Sequence, residues 1–157
     1  MIDIVVRPAV LSDLDILYEF EQAIIEAERP FDPAIRREEN VHYYDLPALI
    51  ASPEVELLVA AADERIVACG YARIEGSKAY LRHREHCYLG FMYVTPEHRG
   101  KGLNKKILEA LESWSAARGV TEFTLEVYTA NVAAIRAYEK AGYSGIVLEM
   151  QKCTTKS

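Results

Sequence analysis

"YVTPEHRGKGLNKKIL", residues 93–108, changes character twice within a short span. A strand-like apolar end at Tyr93 and Val94 is stopped by Pro96, and Gly100 and Gly102 follow among the bases Arg99 and Lys101. A helical pattern then begins, with Leu103, Ile107, Ala110, Leu111 and Trp114 on one face and Lys105, Lys106, Glu109 and Glu112 elsewhere. The first turn of a helix leaves backbone N–H groups unpartnered at the positive end of the macrodipole, so it attracts anions. Gly100 and Gly102 take away side chains that would hold a phosphate off those N–H groups, and Arg99, Lys101, Lys105 and Lys106 add charge. The stretch predicts strand, loop and helix with an anion site at the joint.

That site is local, because the chain as a whole is acidic: 157 residues carry a formal net charge of -6. Such a balance disfavours nonspecific binding to nucleic acid or to anionic membranes, and it is compatible with a cationic substrate. Half of the residues are apolar, enough for one core, and a single domain over 3–152 is expected. The longest strongly apolar run, "LLVAAA" at 57–62, falls far short of the roughly 20 residues of a membrane helix. "MIDIVVRP" has no basic start followed by an apolar stretch, so a cytoplasmic protein without membrane partners is expected. Cys69, Cys87 and Cys153 are odd in number and widely separated, which argues against a disulfide framework and a zinc site and for reduced, small apolar residues. No metal is expected.

A Walker A loop requires G-x-x-x-x-G-K-[ST], but Gly102 is followed by Leu103 and Asn104. A Rossmann fingerprint requires a third glycine where Lys105 stands, and it opens a fold instead of following several elements. The anion is therefore sought elsewhere.

Working outward, "DIVVRPA" (3–9) reads as a strand, and Ser12 is placed to cap a helix whose apolar positions are Leu14, Leu17, Phe20, Ile24 and Ala27, ending before Pro30. Residues 30–47 contain three prolines and no periodicity, a loop leading to a short helix over 46–51. "VELLVAAAD" (55–63) and "RIVACGYARI" (65–74) form a predicted antiparallel hairpin, and "EHCYLGFMYV" (85–94) a further strand, apolar enough to be covered on both faces. Gly119 closes the central helix. "TEFTLEVY" (121–128) reads as a strand, 131–142 as a helix capped by Asn131 and ended by Gly142, and "YSGIVLEM" (143–150) as a last strand. The fold class is α/β (α+β), a mixed sheet with helices on its faces.

Residues 93–108 resemble the acetyl-CoA motif of the Gcn5-related N-acetyltransferases (GNAT), [RQ]-x-x-G-x-[GA] after a strand ending in V-x-P, matched by Arg99, Gly102 and, imperfectly, Asn104. "TLEVYTANVAAIRAYEKAGY" (124–143) is similar to a second segment of that family through Leu125, Val127, Asn131, Ala134, Tyr138, Gly142 and Tyr143. The resemblance covers about residues 3–150 and implies a mostly antiparallel central sheet with helices on both faces and a splayed parallel strand pair holding the donor. It also implies acetyl-CoA as co-substrate, with pantetheine on backbone groups near Met92 and Val94 and pyrophosphate on the N–H groups of Arg99, Gly100, Lys101, Gly102, Leu103 and Asn104. Asn131 would touch the pantetheine arm. The family has Gly or Ala where Asn104 stands, so this side chain must turn from the pyrophosphate or donate to it.

What the resemblance implies chemically is direct transfer of acetyl to a primary amine of a small molecule or peptide. An amine attacks the thioester, an oxyanion forms, and a thiolate leaves. Tyr138, two helical turns after Asn131, matches the tyrosine that reaches the sulfur as general acid. Glu126 in "LEV" resembles the glutamate proposed as base in the ribosomal-protein N-terminal acetyltransferase branch, with Glu85 and His86 as competing bases. Phe31, Tyr43 and Tyr44 in the 30–47 loop are candidates to cover the acceptor. Edge strands and apolar loop residues make a homodimer an expectation. Two other classes remain open, a CoA-binding module without catalysis and a purely structural interaction protein; binding of acetyl-CoA separates the last from the other two.

Overall fold

The alternating and β-branched residues of 55–76 build the centre of the sheet. In the computed structural model, which describes residues 3–155, Val55–Ala62 (β2) and Arg65–Gly76 (β3) form an antiparallel hairpin turning at Asp63 and Glu64. Both turn residues have positive φ (48° and 69°), the conformation a two-residue hairpin turn needs. Ile4–Pro8 (β1) pairs antiparallel with β2, and Glu85–Val94 (β4) pairs antiparallel with β3. Phe123–Thr124 (β5) runs parallel to β4 and completes the order β1-β2-β3-β4-β5.

Strand alternation sends successive side chains to opposite faces. Leu57, Val59, Cys69, Tyr71 and Phe91 cluster with Leu17 and Phe20 of Leu14–Glu28 (α1) and Leu46 of Leu46–Ala51 (α2). On the other face a Cβ added at Gly70 would lie 3.0 Å from a methyl of Ile107, so Leu103–Ala117 (α3) packs there. Helices thus cover both faces of the mixed sheet.

The compact unit ending at Glu126 contains all of these elements, and residues from Val127 onward form a second unit. In that second unit Val132–Lys140 (α4) starts on Asn131, whose Oδ1 accepts from the Ala134 N–H at 3.3 Å. Gly142 follows the helix with φ +100°.

Several expectations change. α1 begins after a 3₁₀ turn at 11–13, and Ser12 is not its cap. Asp13 instead accepts from the Val10 N–H at 2.8 Å and pairs with Arg7 through both carboxylate oxygens. The buried positions of α1 are Leu17, Phe20, Glu21 and Ile25, while Ala27 is exposed. β4 buries Cys87, Leu89 and Phe91 and leaves the residues between them half-buried, so it is not fully covered on both faces. The strand expected over 121–128 is reduced to Phe123–Thr124, and 143–150 forms no strand; Ile146, Val147, Leu148 and Met150 are exposed. Cys69 and Cys87 are buried, but Cys153 is exposed. Among the described residues no helix is long and apolar enough to cross a membrane.

Candidate active site

Two irregularities mark β4 and the loop after it. Between Cys69↔Tyr93 and Tyr71↔Gly90 the register gains one residue on β4, and Phe91 within this bulge has φ +54°. A bulky residue in the left-handed region costs on the order of 1–3 kcal/mol, and such bulges re-aim backbone groups next to active sites. The Phe91 carbonyl is held by the buried Cys69 thiol, which donates to it at 3.3 Å. Burial pushes that thiol's pKa well up, so it stays a donor. A side chain at Gly90 would strike the Tyr71 ring at 2.7 Å, so the bulge also depends on this glycine.

At the end of β4 the Thr95 N–H donates to the Val67 carbonyl at 2.8 Å. Neighbouring residues on a strand direct their backbone groups to opposite edges, so Val94 turns its own N–H and C=O away from β3. Arg99 Nε donates to the Val94 carbonyl at 3.0 Å, and its guanidinium lies 5.7 Å from the Tyr93 ring centre. The chain then passes Gly100 (φ +76°) and Gly102 (φ +80°), where an L side chain is strained. Gly102 precedes Leu103, the first residue of α3, and no side chain caps the helix. The first-turn N–H groups are therefore open to an outside anion, flanked by exposed Lys101 and Lys105. Asn104 is half-buried and makes no side-chain hydrogen bond among the described residues.

Pairing of β4 with β5 covers only Cys87↔Phe123 and Tyr88↔Thr124. Past Tyr88 and Thr124 the two strands have no further paired residues among those described.

Around Tyr88 lies a second cluster. Tyr88 donates its phenol hydrogen to Glu126 Oε1 at 3.1 Å, and Arg73 stacks 5.4 Å from the Tyr88 ring and 5.5 Å from the Tyr71 ring. Arg73 is held by Glu75 at 2.7 Å, and Glu75 reaches His86 Nε2 at 3.1 Å. Burial first, then the charge of Glu126, drives the Tyr88 pKa far up, so the phenol remains protonated. Tyr44, from the loop before α2, packs on Phe91 at 4.8 Å and edge-on to Tyr71 at 5.8 Å, and burial raises its pKa strongly.

Residues 19–143 match the model of the acetyltransferase (GNAT) family, well over half of the chain. The chain belongs to that family. It is an acetyl-CoA-dependent N-acetyltransferase. It is 29% identical over 123 residues to an IAA acetyltransferase of Azospirillum brasilense, covering 78% of this chain and 75% of that one. It is also 29% identical over 107 residues to an aminoglycoside N(6')-acetyltransferase type 1 of Klebsiella aerogenes, covering 64% of this chain and 66% of the relative. A mutant protein of Bacillus halodurans shares the fold with a TM-score of 0.86 at 21% identity, over 96% of this chain and 99% of that one.

Within this acetyltransferase, Met92, Val94, Arg99, Gly100, Lys101, Gly102, Leu103 and Asn104 fall on one continuous run from the β4 bulge into α3. Glu126 is exposed and lies just past β5, bonded to Tyr88. Tyr138 is on α4 in the second unit, its ring edge-on to Tyr143 at 6.1 Å, and Asn131 caps the same helix. Of the competing bases, Glu85 is exposed at the start of β4, whereas His86 is tied to Glu75 and Ser77. The sequence reading missed Tyr88, Tyr71 and Arg73. Their signal was the register: Tyr88 sits opposite Thr124, two residues before Glu126, and only strand pairing shows it.

Proposed function

We propose that this acetyltransferase transfers acetyl to the primary amine of a small molecule by direct attack. The observation that carries the reading is the bulged end of β4 running through two left-handed glycines into an uncapped α3. It supports a donor site in which the N–H groups of Arg99 to Asn104 hold the pyrophosphate and the backbone near Met92 and Val94 holds pantetheine. The open N–H of Val94 suits that role better than its carbonyl, which Arg99 already occupies. Asn131 is assigned to the pantetheine arm.

In the proposed chemistry the amine nitrogen bonds to the thioester carbon, the C–S bond breaks, and the nitrogen loses a proton. Tyr138 supplies a proton to the departing sulfur; a phenol near pKa 10 can do so for a thiol near 8.5 when the proton is replenished from solvent or the amine. Glu126 is assigned as base through an ordered water, which carries off the proton once the nitrogen has bonded to the carbonyl carbon and become far more acidic than a free ammonium. Tyr88 fixes one of its oxygens and leaves the other for that water.

The aminoglycoside relative favours a small cationic acceptor, consistent with the acidic chain. The peptide acceptor of the ribosomal-protein branch is the reading set against it, suggested by the "LEV" segment. The test is release of free CoA from acetyl-CoA with a panel of aminoglycosides, polyamines, small primary amines and peptides. Release with small amines above that with peptides supports the proposal; release with peptides alone transfers the chain to the other acceptor class, and release with none removes the catalytic reading. Tyr138→Phe and Glu126→Gln are each expected to lower kcat about 100-fold or more.

A further inference from the structure

Glu21 is out of place by its surroundings. It lies on the buried face of α1 with Leu17, Phe20 and Ile25, and its side chain is 0% exposed. An apolar residue there would bury area without the cost of removing a carboxylate from water. The carboxylate is not spent on α1 itself. Its Oε2 accepts from the backbone N–H groups of both Tyr43 and Tyr44, each at 2.9 Å, and Oε1 lies 2.6 Å from His42 Nδ1. A carboxylate only accepts, so His42 presents its Nδ1–H. The neighbouring Gln22 adds a tie by donating to the Val41 carbonyl at 2.8 Å.

The segment gripped in this way ends in Tyr44, whose ring rests on Phe91 at the β4 bulge and against Tyr71. Tyr71 in turn lies 6.3 Å from the ring of Tyr88, the partner of Glu126. A line of contact therefore runs from Glu21 through the backbone of 43–44 to the bulge and the Tyr88–Glu126 pair. We propose that Glu21 is a positioning residue for the acceptor: its buried charge clamps residues 42–44 so that Tyr44 walls the amine side of the bulge. This role rests on the acetyl-transfer reading above. Charge-assisted bonds to two successive N–H groups make the closed loop the state that solvates the carboxylate, so opening the loop leaves a buried charge unpaired.

Three full-length variants test it. Glu21→Leu fills the apolar position but leaves the Tyr43 and Tyr44 N–H groups without their acceptor, so its fold is checked by circular dichroism and its urea midpoint, and Glu21→Gln, which keeps an acceptor oxygen, carries the test where Glu21→Leu is unfolded. Glu21→Gln retains one acceptor oxygen, and Glu21→Ala removes the group entirely. Amide hydrogen exchange at Tyr43 and Tyr44 is expected to rise about 100-fold in Glu21→Leu and Glu21→Ala and about tenfold in Glu21→Gln. In steady-state kinetics the KM for the amine is expected to rise about tenfold in Glu21→Leu and about threefold in Glu21→Gln, with KM for acetyl-CoA within about twofold of wild type. Unchanged exchange at 43 and 44 in Glu21→Leu overturns the clamp. A parallel rise of both KM values overturns the acceptor-specific role. A wild type that acetylates no amine contradicts the proposed function instead, and the exchange data still decide whether Glu21 holds the loop.

Discussion

Between β4 and α3 the chain is shaped by its own backbone, whereas between α1 and α2 it is shaped by side chains reaching in from a helix. The first loop turns on Gly100 and Gly102, both left-handed, with Arg99 tied to the Val94 carbonyl and Thr95 to His98 by side-chain hydrogen bonds. The second is held by Glu21 and Gln22, and by Arg29, which donates to the carbonyls of Arg36 (3.2 Å) and Glu38 (3.0 Å). A donor common to a whole family can be met by a fixed backbone cradle, whose signature is glycine at set spacing. An acceptor differs from one enzyme to the next, and a loop fixed by side chains can be re-formed by substitution.

The largest effect that separates the two loops comes from Gly102→Val. A β-branched residue forced to φ near +80° costs about 2 kcal/mol or moves the loop. We expect kcat/KM for acetyl-CoA to fall about 30-fold, with amide exchange at 42–44 unchanged; changed exchange there would break the claim that the loops are ordered independently.

At its N-terminal end, α1 is anchored by Arg7 and Asp13. The Arg7 hydrogen bond, foremost, holds the Asp13 carboxyl below the usual range. A folded-state pKa below the unfolded value gives stability that is present above the ordinary carboxylate pKa and lost as pH falls through the folded one. Asp13→Asn should therefore cost about 1–2 kcal/mol at pH 7, and the gap to wild type should close as the pH falls through the lowered Asp13 pKa, read from urea midpoints across an acid series. A gap independent of pH would refute the ion-pair account.

A comparable or smaller effect is expected from Arg29→Ala, which removes both carbonyl ties: about 1 kcal/mol, seen as faster tryptic cleavage after Arg36 and Arg37 with no change in acetyl-CoA affinity. The smallest is Asn104→Gly. With no side-chain hydrogen bond to lose among the described residues, its Kd for acetyl-CoA should shift less than about threefold; a larger loss would make Asn104 a donor to the pyrophosphate.

The same contrast explains what the sequence disclosed. The hairpin of 55–76, β4, α3 and α4 were legible because apolar period and glycine position are local properties. The glycine-rich mouth of α3 was legible for the same reason. Residues 121–128 were not, because β-propensity becomes a strand only where a neighbour supplies rungs, and β4 supplies them only at Cys87 and Tyr88. In the second unit, "YSGIVLEM" carries the same propensity, and its residues pair with no strand among those described. Glu21 was illegible for a different reason: a charged residue on a helix is read as solvent-facing, and only the fold shows that two backbone N–H groups wait for it. Tyr88 and Glu126 meet across a register that spacing alone does not fix.

The claim that most needs testing is that the run from Val94 to Asn104 receives the donor. Backbone amide shifts followed by NMR during titration with acetyl-CoA address it residue by residue. The account predicts that the largest changes fall on Val94 and on Gly100 to Asn104, with 42–44 little moved. Saturating binding that leaves Gly100, Gly102 and Leu103 unshifted would contradict it.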